Sequence, residues 1–148
     1  MLTNMSPSTA ATADLAHDLR LATMRLARRL RQQRADHGIP LGQLSVLATL
    51  DRLGPLTPGA LAQQEQVRPP TMTKVLANLS EAGYVDRVAD PADGRQQLVS
   101  LTPAAQKLLR EDRRRRDEWL AAHLLGLTPA QRAALAAALP VLEVLADS

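Results

Sequence analysis

The sequence predicts a mainly α-helical fold carrying one small β-hairpin, and three observations lead there. Thr-Pro occurs at Thr57-Pro58, Thr102-Pro103 and Thr128-Pro129, a pair in which Thr caps free backbone N–H groups while Pro fits the first helical position. Gly38, Gly54, Gly83 and Gly126 each stand just past an amphipathic stretch, where helices stop. Two short runs, Tyr84–Val88 and Gln97–Leu101, flank a polar loop that holds Asp90-Pro91 and Asp93-Gly94.

These signals divide the chain into successive elements. Helix one is expected from about Thr12 to His37, with Leu15, Leu19, Ala22, Leu26 and Leu30 on one stripe and Arg20, Arg28, Arg31 and Arg34 opposite. A second helix spans about Leu41–Leu53, pointing Leu44, Leu47, Ala48 and Leu50 to a core. Thr57 to about Gln64 makes a short third helix, and Pro69–Ala82 a fourth. After the hairpin come helix five, over Thr102–Leu125, and helix six, over Thr128–Asp147. Thr128 has Gln131 three residues on, a capping box. Pro140 removes a hydrogen bond from the interior of helix six, which is expected to kink near Ala136 or break.

Composition narrows the class. The 148 residues suffice to bury one core, and 45% hydrophobic with 22% charged residues fits a globular domain. The longest apolar run, Ala133–Leu142, falls well short of the ~18 residues a membrane helix needs, so no membrane partner is expected. The opening MLTNMSPSTAATA has neither the basic start nor the apolar stretch of a signal peptide and reads as a loose tail. With no Cys, disulfides, thiolate zinc sites and thiol redox sensing are excluded, and the cytoplasm is the expected compartment.

The net charge of +3 permits an anionic partner. Tyr84 and Trp119 are the only aromatic residues, too few to stack unpaired bases. Duplex therefore fits better than single strands or RNA loops.

Short helix, tight turn, second helix and hairpin is the order of a winged helix-turn-helix. In such a lobe one helix braces on the backbone while the next presents its first turns to the major groove. The presenting helix here opens Arg68-Pro69-Pro70-Thr71-Met72-Thr73-Lys74. Met72, Val75, Leu76 and Leu79 have the spacing of a buried stripe, while Thr71, Lys74 and Asn78 share the outer face with Thr73 at its edge. Arg68 and the helix N-terminus suit phosphate, and Thr and Lys can donate to base edges. Arg95 projects near the hairpin tip, where a narrow minor groove would attract it, with Asp93 placed to hold its guanidinium by a charge-assisted bond. Read blandly, the same residues make a surface helix with a polar face and an ordinary polar hairpin.

Leu41 to Leu109 resembles the MarR (multiple-antibiotic-resistance regulator) family. The match is carried by Leu56–Ala62, the helix PPTMTKVLANLSEAGYV and the wing DPADGRQQLVSLTPAAQKLL. The resemblance implies a homodimer whose first and last two helices interlock and whose two lobes grip a pseudo-palindrome. It also implies that Arg95 is the minor-groove arginine with Asp93 its partner, and that Thr71, Thr73 and Lys74 lie on the reading surface near Arg68 and Pro70. Release by a small lipophilic or aromatic effector rests on the resemblance alone. Pro69-Pro70 departs from the family pattern and removes two N–H donors from that helix end.

The expected organisation is a flexible tail over 1–11, a dimerisation helix over 12–38, the winged lobe over 39–101, and linker and dimerisation helices over 102–148. Leu15, Leu19, Leu26, Leu30, Leu135, Leu139 and Leu142 are the expected dimer contacts, because helices one and six carry more apolar surface than a small lobe covers. Packing within one chain, as a bundle, is the competing account.

Arg113–Arg116 points around a whole helical turn and forms no single stripe. Flanked by Glu111, Asp112, Asp117 and Glu118, it reads as a salt-bridged solvated face, with Arg116 placed for an inter-element ion pair. His17, His37 and His123 are too scattered for a zinc site, and no metal or other cofactor is expected. Trp119 fills a core gap or lines an effector pocket. No nucleophile elbow, phosphate loop or carboxylate pair suggests an enzyme. The expected function is a DNA-binding regulator acting as a repressor, the alternative a winged-helix module that binds protein.

Overall fold

The computed structural model describes residues 7–148. Helices α1 (Pro7–Arg31), α2 (Leu41–Leu53), α3 (Pro58–Gln64) and α4 (Pro69–Glu81) lead into an antiparallel hairpin of β1 (Val85–Ala89) and β2 (Gln97–Leu101). Helices α5 (Pro103–Leu125) and α6 (Pro129–Ala146) follow. The first six residues of the expected tail lie outside the described residues. No described helix is long and apolar enough to cross a membrane.

The chain divides into two compact units, Ala35–Arg113 and the remainder formed from both chain ends. The first unit holds the buried core: Val46, Leu47 and Leu50 of α2, Leu61 and Ala62 of α3, and Met72, Leu76 and Leu79 of α4. Val85, Val99, Ala105 and Leu109 close it from the hairpin and α5. Ala48 was expected inside but is exposed, and Val46 and Thr49 take the buried positions. Val46, Leu47, Thr49 and Leu50 together span about 160° of the helix circumference, so the buried surface of α2 is wider than a single stripe.

Short-range chemistry sets most boundaries. Thr57 Oγ1 accepts the Ala60 N–H at 3.2 Å and caps α3. Thr128 and Gln131 form the reciprocal box at the start of α6, with bonds of 3.2 and 2.9 Å. After α4 the Tyr84 N–H reaches the Leu79 carbonyl and the Gly83 N–H the Ser80 carbonyl, while Gly83 takes φ +78°. This is a Schellman ending, and it needs the left-handed residue that glycine supplies.

The hairpin pairs Val85 with Leu101, Arg87 with Val99 and Ala89 with Gln97. Leu56 adds a third, one-residue strand by exchanging bonds of 3.2 and 2.7 Å with Val99. Strand β1 begins at Val85 rather than Tyr84, because Tyr84 is spent on the helix ending.

For the long helices, the bounds of α1 are corrected, and of the two outcomes expected for α6 the break is not seen. Helix α1 starts at Pro7, five residues before Thr12, and ends at Arg31 instead of His37. Beyond it, Ala35 donates its N–H to Asp112 Oδ1 at 2.8 Å, so a tertiary acceptor replaces the helical one. Helix α6 does not break: it runs from Pro129 to Ala146 with Pro140 inside.

In the unit built from the chain ends, α6 has no buried residue. Leu15 and Leu26 of α1 are exposed, Leu19 and Leu30 half-buried. Leu135, Leu139, Val141, Leu142, Val144 and Leu145 of α6 all face outward.

Candidate nucleic-acid interface

Helix α4 separates two faces cleanly. Met72, Leu76 and Leu79 are at most 1% exposed, with Val75 half-buried beside them. Arg68, Pro70, Thr71, Thr73, Lys74 and Asn78 are all exposed. One side anchors the helix in the lobe, and the other presents two hydroxyls, an ammonium, an amide and a guanidinium within about three turns.

The helix opens without a side-chain cap at Arg68, whose backbone is extended, and Pro69 and Pro70 fill its first two positions. Met72 N–H already bonds the Arg68 carbonyl at 3.1 Å. Of the donors a helix start normally offers, only the Arg68 and Thr71 N–H groups remain. Anion binding at this end therefore depends on the Arg68 side chain more than on the backbone. Thr73 Oγ1 donates to the Pro69 carbonyl at 3.0 Å, which leaves its lone pairs outward.

The turn before α4 is held by groups that periodicity did not single out. Gln66 adopts φ +53°, a left-handed conformation costly for a residue with a Cβ. Its N–H meets the Gln63 carbonyl and the Val67 N–H the Ala62 carbonyl, at 3.2 and 3.0 Å. Glu65, next to it, accepts from Ser45 Oγ at 2.7 Å and from Thr49 Oγ1 at 2.6 Å. One carboxylate thus ties the end of α3 to α2 and sets the path into α4. An acid 16 and 20 residues from the two hydroxyls it joins gives no local signal of such a network.

At the wing, Gln96 N–H bonds the Asp93 carbonyl at 3.0 Å, closing a turn over Gly94 and Arg95. Asp93 Oδ1 accepts the Arg95 backbone N–H at 3.1 Å, and Asp90 Oδ1 that of Ala92 at 2.8 Å. The expected bond from Asp93 to the Arg95 guanidinium is not made. An aspartate two residues before an N–H closes an Asx turn with less chain ordering than reaching a long side chain requires. Asp93 shapes the loop, and the exposed Arg95 guanidinium is left outward.

Two readings of helix α5 are also revised. Asp112 is 1% exposed, not solvated: with Ala105 and Leu109 it follows the buried stripe at spacings of four and three. The inter-element ion pair belongs to Arg113, which meets Asp51 of α2 at 3.0 Å, rather than to Arg116. Arg114 pairs with Glu118 within the helix. Trp119 is half-buried, with the His123 ring tilted against it at 4.0 Å between centroids and the Arg29 guanidinium 6.0 Å from its ring. It borders an open cavity of about 400 Å³ lined by Gln32, Gln33, Arg34, Arg115 and Glu118. Among the described residues no three His, Asp or Glu side chains gather as metal ligands would.

Three helices, a one-residue strand and a hairpin arranged in this way define a winged helix-turn-helix protein. The MarR family model matches residues 39–96. An HTH-type transcriptional regulator of Mycobacterium tuberculosis is 47% identical over 135 residues, covering 91% of this chain and 94% of the relative. A Pseudomonas aeruginosa structure assigned as a transcriptional regulator has a TM-score of 0.81 at 37% identity, over 93% of this chain and 97% of the other. A MarR family protein from Bacillus stearothermophilus shares the fold, with a TM-score of 0.76 at 22% identity over 94% and 97% of the two chains. This chain belongs to the MarR family of DNA-binding transcription regulators.

Proposed function

We propose that the protein is a repressor that acts as a homodimer on a pseudo-palindromic duplex operator, in the cytoplasm, and is released by a small lipophilic or aromatic effector. The single observation that carries the DNA-binding part is the split of α4, which buries Met72, Leu76 and Leu79 and turns Thr71, Lys74 and Asn78 outward. Thr71, Thr73, Lys74 and Asn78 meet base edges in the major groove, Arg68 and Pro70 lie against the backbone, and Arg95 enters the minor groove. Asp93 holds the loop that aims it.

A second copy is supported by the apolar residues left on the surface of α1 and α6. Leu15 is 66% exposed and Leu139 57%, with Leu26, Leu135 and Leu142 also outward. Contiguous exposed apolar surface of this kind marks an interface. Leu19 and Leu30, half-buried within one chain, border the same stripe. A symmetric pair would place two recognition helices about one turn of DNA apart, ~34–36 Å. MepR of Staphylococcus aureus, which shares the fold at a TM-score of 0.66, has been solved with an oligodeoxyribonucleotide. A further MepR structure holds ethidium bromide. An effector that favours one dimer geometry over another would shift the population able to meet both half-sites.

Binding to duplexes from the DNA flanking its own gene, followed across salt concentration, tests the reading. Log affinity is expected to fall linearly with log salt, with a slope of about −0.9 per phosphate neutralised. Failure to bind any flanking duplex in dilute buffer, together with salt-insensitive capture of a protein, would favour a winged-helix protein-binding module instead.

A further inference from the structure

The charge of this chain is distributed against expectation. Residues 35–113, which hold α4 and the wing, contain eight Lys or Arg against nine Asp or Glu, a net −1. Residues 114–148 contain four of each sign and are neutral. The whole positive excess of +3 therefore originates in residues 1–34, where six arginines face only Asp14 and Asp18. All six arginines lie from Arg20 to Arg34, a stretch with no acidic residue.

These arginines are arranged on a surface. At 100° per residue Arg31 stands about 20° from Arg20 and Arg28 about 80° from it, on a face about 16 Å long. Leu15, Leu19, Leu26 and Leu30 occupy the other side of the helix. Arg20, Arg25, Arg28 and Arg31 are exposed, and the last three make no ion pair among the described residues. Arg20 has only a 3.7 Å contact to the Met24 sulfur.

We propose that this face of α1 is a second phosphate-binding surface, whose partner is the backbone of duplex DNA. The inference rests on the reading of the protein as a duplex binder and adds where its electrostatic attraction comes from. A lobe with net −1 can order a few contacts through Arg68, Lys74 and Arg95, yet it has no excess charge with which to attract a polyanion. Helix α1 supplies that excess. Guanidinium forks match phosphate oxygens two at a time, and duplex DNA presents one charge per ~1.7 Å, so a 16 Å face opposes several. An anionic membrane fits less well, because the apolar side that an interfacial helix buries in lipid, here Leu15, Leu19, Leu26 and Leu30, is the side assigned above to the second copy.

The test is a triple variant, Arg20→Gln, Arg28→Gln and Arg31→Gln, compared with the unaltered chain on an operator duplex and a scrambled one across salt. Glutamine keeps helix propensity, and circular dichroism with light scattering checks that fold and oligomeric state persist. In a homodimer the variant removes up to three phosphate contacts per protomer, so the magnitude of the salt slope should fall by up to about 5. Affinity for both duplexes should fall together, leaving their ratio unchanged, because phosphate contacts read no sequence. The corresponding triple Lys variant should restore the slope. If the unaltered chain binds duplex with a steep slope and the Gln variant matches it, the surface is simply solvated and the proposal fails while the regulator reading stands. Loss of binding to vesicles of anionic phospholipid with the DNA slope retained would assign the face to a membrane and overturn the proposal. An unaltered chain that ignores duplex altogether overturns the underlying reading.

Discussion

Asp112 of α5 and His37 of the α1–α2 connection, 75 residues apart, share a hydrogen bond of 3.0 Å, with Asp112 almost wholly buried. The other carboxylate oxygen accepts the Ala35 N–H at 2.8 Å. His37 Nδ1 accepts the Ile39 N–H at 3.3 Å, so Nε2 is the nitrogen that donates to Asp112. One acid thereby fastens the first residues of the lobe to its last helix.

Asp112→Ala would leave two donors, on Ala35 and His37, without an acceptor. Each such loss costs about 1–3 kcal/mol, so the lobe should lose about 2–6 kcal/mol, read as a fall in the urea midpoint. Asp112→Asn keeps an acceptor for one of the two and should lose less. A change below about 0.5 kcal/mol in the Ala variant, the range of ordinary surface substitutions, would show that the fastening contributes nothing.

Arg95→Ala removes the outward guanidinium of the wing without touching the core. Operator affinity should fall more than tenfold, about 1.4 kcal/mol, with dimerisation unchanged. Unaltered affinity in a mobility-shift titration would reject the wing as a DNA contact. Asp93→Ala, which frees the Arg95 N–H, should weaken binding through a looser turn and to a smaller extent.

Leu139 is more than half exposed in one chain, so Leu139→Glu should cost a lone protomer little. Across a dimer seam the same change buries an unpaired carboxylate. The variant should sediment as a folded monomer at concentrations where the unaltered chain is dimeric. A dimer of undiminished affinity would remove this part of α6 from the interface.

Pro140 sits inside a continuous helix and forfeits one backbone bond. Pro140→Ala should therefore raise stability, by up to about 3 kcal/mol, visible as a higher thermal midpoint. A lower midpoint would mean that the proline ring is packed at the dimer seam and outweighs the lost bond.

The chemistry of neighbours in sequence was the legible part. Thr57 and Thr128 cap the helices they precede, Gly83 ends α4, and the spacing of Met72, Leu76 and Leu79 separates the buried and outward faces of that helix. The candidate site was legible for the same reason, since Thr71, Lys74 and Asn78 are outward by the same periodicity. For Asp93 the sequence leaves one bond open: two residues of separation are as consistent with a backbone turn as with a side-chain pair, and the turn is what forms.

Taken alone, the order of residues determined which segments coil, which pair and which side of each is greasy, because capping, turn formation and periodicity act within a few positions. It did not determine where α1 stops, that Leu56 joins the sheet, that Glu65 braces the turn before α4, or that Asp112 is buried rather than wet. Those outcomes belong to the tertiary structure. Each depends on a hydrogen-bond partner brought near only when the chain closes a long loop, and a polar group accepts burial only where that partner waits.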